Sequence, residues 1–198
     1  MSGGVCAILL AAGLGTRFRQ VAGSDSDKLL ACCSGHDGRE RAVLEHALLA
    51  LHGQVERVLL VTRPENRGAI ALGLAHGCEL VTLASAGMGD SIAAAVARVP
   101  DYAGWLIALG DMPFIRPATV ARVAAALREE LIVVPTWQGR RGHPVGFGRA
   151  YGEGLAGLSG DAGAKRLFRD GRLLELAVDD PAILWDIDSP EALSGPRT

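Results

Sequence analysis

Residues 5–18 read VCAILLAAGLGTRF, and this stretch decides the fold. Val5 to Ala11 is a short apolar run that ends at glycines, the pattern of a β-strand buried on both faces. The pattern recurs in RVLLVT (57–62), CELVTL (78–83), WLIALGD (105–111) and LIVVPT (131–136). Between these runs lie RAVLEHALLAL (41–51), ENRGAIALGLAHG (65–77), DSIAAAVARV (90–99) and ATVARVAAALREE (118–130), whose apolar residues recur at helical spacing. Alternating strands and helices predict an α/β protein: a three-layer α/β/α sandwich, Rossmann-like, with a mostly parallel central sheet. After residue 136 the rhythm breaks into a glycine-rich loop or hairpin and short helices, and LLELAV (173–178) and AILWDID (182–188) then read as strand-like. No linker, repeat or low-complexity tract interrupts the chain, so one domain over 1–198 is expected.

The bulk numbers agree. A chain of 198 residues buries about 70% of its unfolded surface, and 49% hydrophobic content with 26 glycines suits an aliphatic core punctuated by loops. A formal net charge of -2 argues against recognition of nucleic acid or a membrane by bulk electrostatics. Cys6, Cys32, Cys33 and Cys78 form no CxxC pair and share no metal-ligand spacing with the histidines. No apolar stretch approaches a membrane span, and the start lacks a basic signal region, so a cytoplasmic location is expected.

The glycines after the first strand raise the question of a phosphate cradle, because a strand ending in small residues leaves backbone N–H groups free to converge on an anion. Three loop types compete. A P-loop needs GxxxxGK followed by Ser or Thr, which Gly13 and Gly15 do not supply. A dinucleotide fingerprint fits at Gly13 and Gly15 but meets Phe18 at its third glycine and finds no ribose-binding acid near Gly35 to Glu40. A loop that wraps a nucleoside triphosphate with Arg17 and the downstream Lys28 matches in residue types.

LLAAGLGTRF with DKLL resembles the nucleotidyltransferase signature of the family of molybdenum cofactor cytidylyltransferases and their guanylyltransferase relatives, which have a GT-A-like fold. LGDMPFI (109–115), GRRGHPVGF (139–147), LSGDAGAKRLF (158–168) and DIDSPEAL (186–193) resemble the family's later motifs, in its order. The resemblance implies a nucleotide site formed by Leu10, Ala11, Ala12, Gly13, Leu14, Gly15, Thr16, Gly87, Met88 and Ser91. It also implies an acceptor site at Arg141, Gly142, His143 and Asp161. Ala11-Ala12-Gly13 leans towards CTP, since Ala-Gly-Gly is typical of GTP users.

The implied reaction transfers CMP from CTP to molybdenum-molybdopterin, giving the cytosine dinucleotide cofactor and pyrophosphate. The alternatives are GTP as donor, another phosphorylated acceptor, or a nucleotide-binding delivery protein without turnover that hands cofactor to a molybdoenzyme or its maturation chaperone. Such a transfer needs positive charge around the phosphates more than it needs a nucleophile. Arg17 would fork onto the β- and γ-phosphates, and by resemblance Lys28 would hold the α-phosphate. The RQVAGSDS insert before Lys28 is longer than the family's and is expected to loop out.

Asp111 closes an apolar strand, where open α/β sheets place ligand sites, and a carboxylate there suits Mg²⁺ (or Mn²⁺). Asp188 is the second metal ligand by match to the closing motif, with Asp186, on the same face of an extended strand, as the competing assignment. Plain structural roles compete as well: a turn cap for Asp111, N-caps for Asp90 or Ser91, Asp161 and Asp188, and a turn residue for His143.

Overall fold

The computed structural model describes residues 3–84, 87–161 and 163–196. The elements run β1 (Val5–Ala11), α1 (Thr16–Ala22), β2 (Cys32–Ser34), β3 (Glu40–Ala42), α2 (Val43–Leu51), β4 (Arg57–Thr62), α3 (Arg67–Ala75) and β5 (Glu79–Thr82). They continue with α4 (Met88–Arg98), β6 (Gly104–Leu109), α5 (Pro117–Ala126), β7 (Ile132–Trp137), β8 (Arg140–Arg141), β9 (Val145–Gly148), α6 (Gly152–Ala156) and β10 (Leu173–Ala177). The main sheet has the order β10-β7-β9-β6-β1-β4-β5, with β8 paired to β7. β1 pairs in parallel with both β4 and β6, β4 with β5, and β7 with β10. β9 runs antiparallel between β6 and β7, which is where the alternating rhythm stopped in the sequence.

β1 shows why the sheet is covered on both faces. Ala7, Leu9 and Ala11 point into one core layer with Leu44 and Leu48 of α2 and Val120 and Val123 of α5. Cys6 and Ile8 point into the other with Ile92, Ala95 and Val96 of α4 and Leu155 of α6. Alternation with a period of two therefore feeds both layers from one strand. Ile8 and Leu9 are fully buried, each contributing about 1.5–3 kcal/mol of apolar burial.

The winding places a ligand cleft. From β1 the chain moves outward to β4 and β5, then returns across α4 to β6 on the other side of β1. Connections leaving adjacent strands in opposite directions open a crevice beyond their carboxyl ends. Among the described residues no helix is long and apolar enough to cross a membrane.

Local readings of the sequence need correction in several places. Residues 182–188 are not a strand: Pro181–Leu184 is a 3-10 helix, and residues 185–188 have no ladder partner. Asp180, 1% exposed, accepts from Ala182 N, Arg116 N and Thr119 Oγ1, and the Ile183 carbonyl accepts from His143 N. These bonds satisfy the backbone locally and remove the need for a sheet. α5 stops at Ala126, short of residue 130, where Arg128 donates to the carbonyls of Ala125 and Leu127. The N-cap of α4 is Gly87, neither Asp90 nor Ser91; Gly163 precedes the 3-10 helix Ala164–Phe168, and Ser189 precedes the 3-10 helix Pro190–Ser194. The capping roles considered for Asp90, Asp161 and Asp188 are therefore not the ones these side chains fill. Ala162 of the LSGDAGAKRLF motif lies outside the described residues.

Candidate functional site

The loop between β1 and α1 is held from both sides. Gly110 N donates to the Leu10 carbonyl at 2.8 Å, and from β4 Thr62 Oγ1 donates to the Ala11 carbonyl at 3.2 Å. Gly15 takes a left-handed conformation, φ 60° and ψ 33°, which lets the chain turn from the loop into α1. The Lys28 stem lies against Gly15.

The RQVAGSDS insert is half helix and half turn. Its first residues, Arg19–Ala22, prolong α1 instead of looping out, and Gly23, at φ 104°, reverses the chain. Asp27 then sets Lys28 in place: its Oδ1 accepts from Leu29 N at 2.9 Å and its Oδ2 from Asn66 Nδ2 at 2.8 Å. Leu29, 4% exposed, is buried in the core beside α2, so Lys28 leaves a fixed backbone.

Lys28 Nζ reaches Asp111 Oδ2 at 2.5 Å and Asp188 Oδ1 at 3.8 Å. Arg17 Nη1 donates to Asp188 Oδ2 at 2.7 Å. The closing DIDSP segment is stapled beside Asp111, because Ile187 N donates to the Asp111 carbonyl at 2.9 Å and Ile187 is fully buried. Asp111 therefore caps no turn with its carboxylate; it forms a cluster of two cations and two anions with Lys28, Arg17 and Asp188.

A cavity of about 520 Å³ opens over this cluster, lined by Leu10 to Thr16, Lys28, Arg63, Gly87, Met88, Ser91 and Asp111. The loop residues Leu10 to Thr16 and Gly87, Met88 and Ser91, all expected at the nucleotide, line this one cavity together with Lys28 and Asp111, whereas Arg17 and Asp188 stand outside its lining and join it through their ion pairs. A second cavity of about 540 Å³ adjoins it, sharing Met88, Leu109, Asp161 and Asp186 with the first. It holds Arg141, Gly142, His143 and Asp161, the residues expected at the acceptor. Arg141 is already paired with Glu175 of β10 at 2.6 Å, whereas Arg140 and Lys165 also line the cavity without an ion pair among the described residues. Burial in this wall pushes the His143 pKa below its ordinary value, so the ring is neutral near pH 7. The start of α4 is locked to the second cavity: Gly89 N donates to the Gly160 carbonyl at 2.8 Å, and Asp90 Oδ1 accepts from Gly160 N at 3.1 Å.

The residue range 7–177 matches the MobA-like NTP transferase domain family. The chain belongs to that family. It is a nucleotidyltransferase, and its fold is the α/β nucleotidyltransferase fold. This MobA-like chain is 28% identical over 156 residues to the purine catabolism protein PucB of Bacillus subtilis, covering 72% of this chain and 76% of PucB. The crystal structure of Rv0371c from Mycobacterium tuberculosis superposes with a TM-score of 0.78 at 27% identity, over 95% of each chain. A manganese complex of Rv0371c superposes with a TM-score of 0.76 at 27% identity, over 96% of this chain and 95% of that one.

Residues that the sequence reading passed over are Asp27, which positions Lys28, and Arg63, whose Nε donates to the Ala12 carbonyl at 2.8 Å. Arg63 comes directly after a buried strand, the same signal that singled out Asp111 after β6.

Proposed function

We propose that this chain, as one domain over 1–198, transfers CMP from CTP to the terminal phosphate of molybdenum-molybdopterin, forming molybdopterin cytosine dinucleotide and pyrophosphate. The observation that carries the reading is the Lys28 ammonium held between the Asp111 and Asp188 carboxylates beneath a glycine loop. The Ala11-Ala12-Gly13 form of that loop favours CTP as the donor. We place the reaction in the cytoplasm, with a molybdoenzyme or its chaperone receiving the product.

An acceptor phosphate oxygen forms a bond to the α-phosphorus while the bond to the pyrophosphate oxygen breaks. The acceptor is already ionised, so no general base is required, and catalysis rests on positioning and charge. Lys28 contacts the α-phosphate and stabilises the charge that grows there. Arg17 holds the β- and γ-phosphates of the leaving group. Both cations are now neutralised by carboxylates, and binding of the triphosphate exchanges those partners: the phosphates take the cations and the carboxylates become available to a divalent ion.

The donor set suits Mg²⁺. Two carboxylates flank one cation, and among the described residues no group of three or more His, Cys, Asp or Glu forms a ready cage. Mg²⁺ in triphosphate sites is held by one or two carboxylates together with phosphate oxygens. Asp111 and Asp188 would hold it, and the ion would neutralise triphosphate charge as a Lewis acid. That Rv0371c forms a complex with manganese supports a divalent ion as the cofactor.

In the second cavity Arg140, Arg141 and Lys165 draw in the acceptor phosphate, while Ile107, Val145 and Phe147 give its ring system an apolar wall. The test is pyrophosphate release with CTP, GTP or ATP, Mg²⁺ and a molybdopterin source. Release confined to CTP supports the reading. Release confined to GTP overturns the donor assignment, and tight CTP binding without release under an active acceptor assigns a delivery role.

A further inference from the structure

Arg63 stands at the carboxyl end of β4 with its Nε committed to the Ala12 carbonyl at 2.8 Å. Among the described residues its two Nη groups have neither an ion-pair nor a hydrogen-bond partner, and the side chain is partly buried and lines the nucleotide cavity. A guanidinium anchored through Nε presents its remaining N–H groups in a fixed plane, which is the geometry that recognises two adjacent acceptors.

The sheet indicates which part of the nucleotide meets that fork. The charged cluster lies over the end of β6, just beyond which Asp111 stands, and Arg63 lies over the end of β4. β1 separates these strands, and its register aligns their ends: Leu10 pairs with Leu109 on one side, and Ala11 pairs with Thr62 on the other. Two strand spacings, about 10 Å, part the two sites. A nucleotide laid across the carboxyl end of β1 with its phosphates at Lys28 therefore brings its base to Arg63. A second guanidinium on the triphosphate would be redundant there, since Arg17 and Lys28 already occupy the far end.

We propose that Arg63 reads the base, donating both Nη hydrogens to an edge that offers two neighbouring acceptors. This inference rests on the nucleotidyltransferase reading of the cavity. Cytosine offers O2 and N3, and guanine offers N7 and O6. Uracil places an N–H donor at N3, and adenine pairs the N7 acceptor with an amino donor, so neither accepts the fork. Arg63 thus acts as a specificity residue that admits C or G and rejects U and A, and the rest of the cavity decides between the admitted pair.

The test measures equilibrium binding of Mg²⁺ complexes of CTP, GTP, UTP and ATP by isothermal titration, so that no acceptor is needed. The native protein is expected to bind CTP or GTP at least about tenfold tighter than UTP and ATP, the discrimination typical of one bidentate contact. Arg63→Met is expected to bring the ratios close to one, mainly by weakening the preferred nucleotide. Arg63→Lys, which keeps the charge without the fork, is expected to lose most of the selectivity and serves as the test if the Met variant does not fold. A purely structural role in bracing the loop would weaken all four nucleotides alike with unchanged ratios, and that result overturns the proposal. Tighter binding of UTP or ATP by the native protein overturns it too. Absence of binding by any nucleotide refutes the underlying reading of the cavity along with it, and is recognised by the missing heat in the native protein itself.

Discussion

Asp111→Asn tests the site at its centre, because it keeps the side chain's shape and volume and removes one charge. Lys28 then loses its partner at 2.5 Å and, among the described residues, keeps Asp188 at 3.8 Å. The Lys28, Asp111 and Asp188 side chains are 12%, 21% and 45% exposed. Breaking a fully buried pair costs about 3–5 kcal/mol and an exposed one about 0–1 kcal/mol. Partial exposure and the surviving carboxylate bring the expected loss to about 1–2 kcal/mol. In a protein of this size each kcal/mol lowers Tm by about 2–4 °C, so the variant melts about 2–8 °C lower and stays folded. On the proposed mechanism turnover is hit harder: the substitution removes a charge that would hold the metal and the anion paired with Lys28, and loss of one such group typically costs about 100-fold or more. Pyrophosphate release at saturating CTP and Mg²⁺ reads the rate, and thermal melts with and without Mg²⁺-CTP read the site. A folded variant whose turnover stays within about threefold of native, less than about 1 kcal/mol in barrier, would refute the role of Asp111.

Arg17→Ala separates binding from stability. Its side chain is 79% exposed and, among the described residues, paired only with Asp188 at 2.7 Å, so Tm barely moves, whereas KM for the nucleotide rises about tenfold through loss of a charge-assisted contact; an unchanged KM contradicts the phosphate assignment. Gly87→Ala places a methyl group on the Gly160 backbone, and the displaced turn costs about 1–3 kcal/mol; an unaltered urea midpoint rules this packing argument out. Burial pushes the Cys6 thiol up to about 12 and those of Cys33 and Cys78 up to about 11, from 9.0. The unfolded chain releases these protons first, so their stabilising contribution is full below about pH 9 and is lost as pH rises through the folded values. Urea unfolding under reducing conditions should show stability falling as the pH rises from about 9 to about 11, and a flat profile there would contradict the burial of these thiols.

The sequence alone was enough for the parts of this protein that depend on neighbours along the chain. The buried strand Val5–Ala11, its glycine turn and the alternation of strands and helices come from hydrophobic spacing, because each strand residue feeds one of two core layers. Asp111 stands out in the sequence for a similar reason, as a carboxylate just past a buried strand. Tertiary structure decided the rest. Lys28 returns to the loop despite its long insert because Asp27 and the buried Leu29 hold it there, and those contacts come from α3 and α2. β9 enters the sheet against the run of its neighbours, and residues 185–188 form a strap instead of a strand because Trp185 N bonds back to the Ala182 carbonyl and Ile187 N to the Asp111 carbonyl, which takes the place of a ladder. That strap puts Asp188 on Arg17 and Lys28 while Asp186 lines both cavities, a division that alternation along an extended strand did not anticipate. Arg63 shows its position after a buried strand in the sequence, but the direction of its fork is set only by the Ala12 carbonyl, distant along the chain.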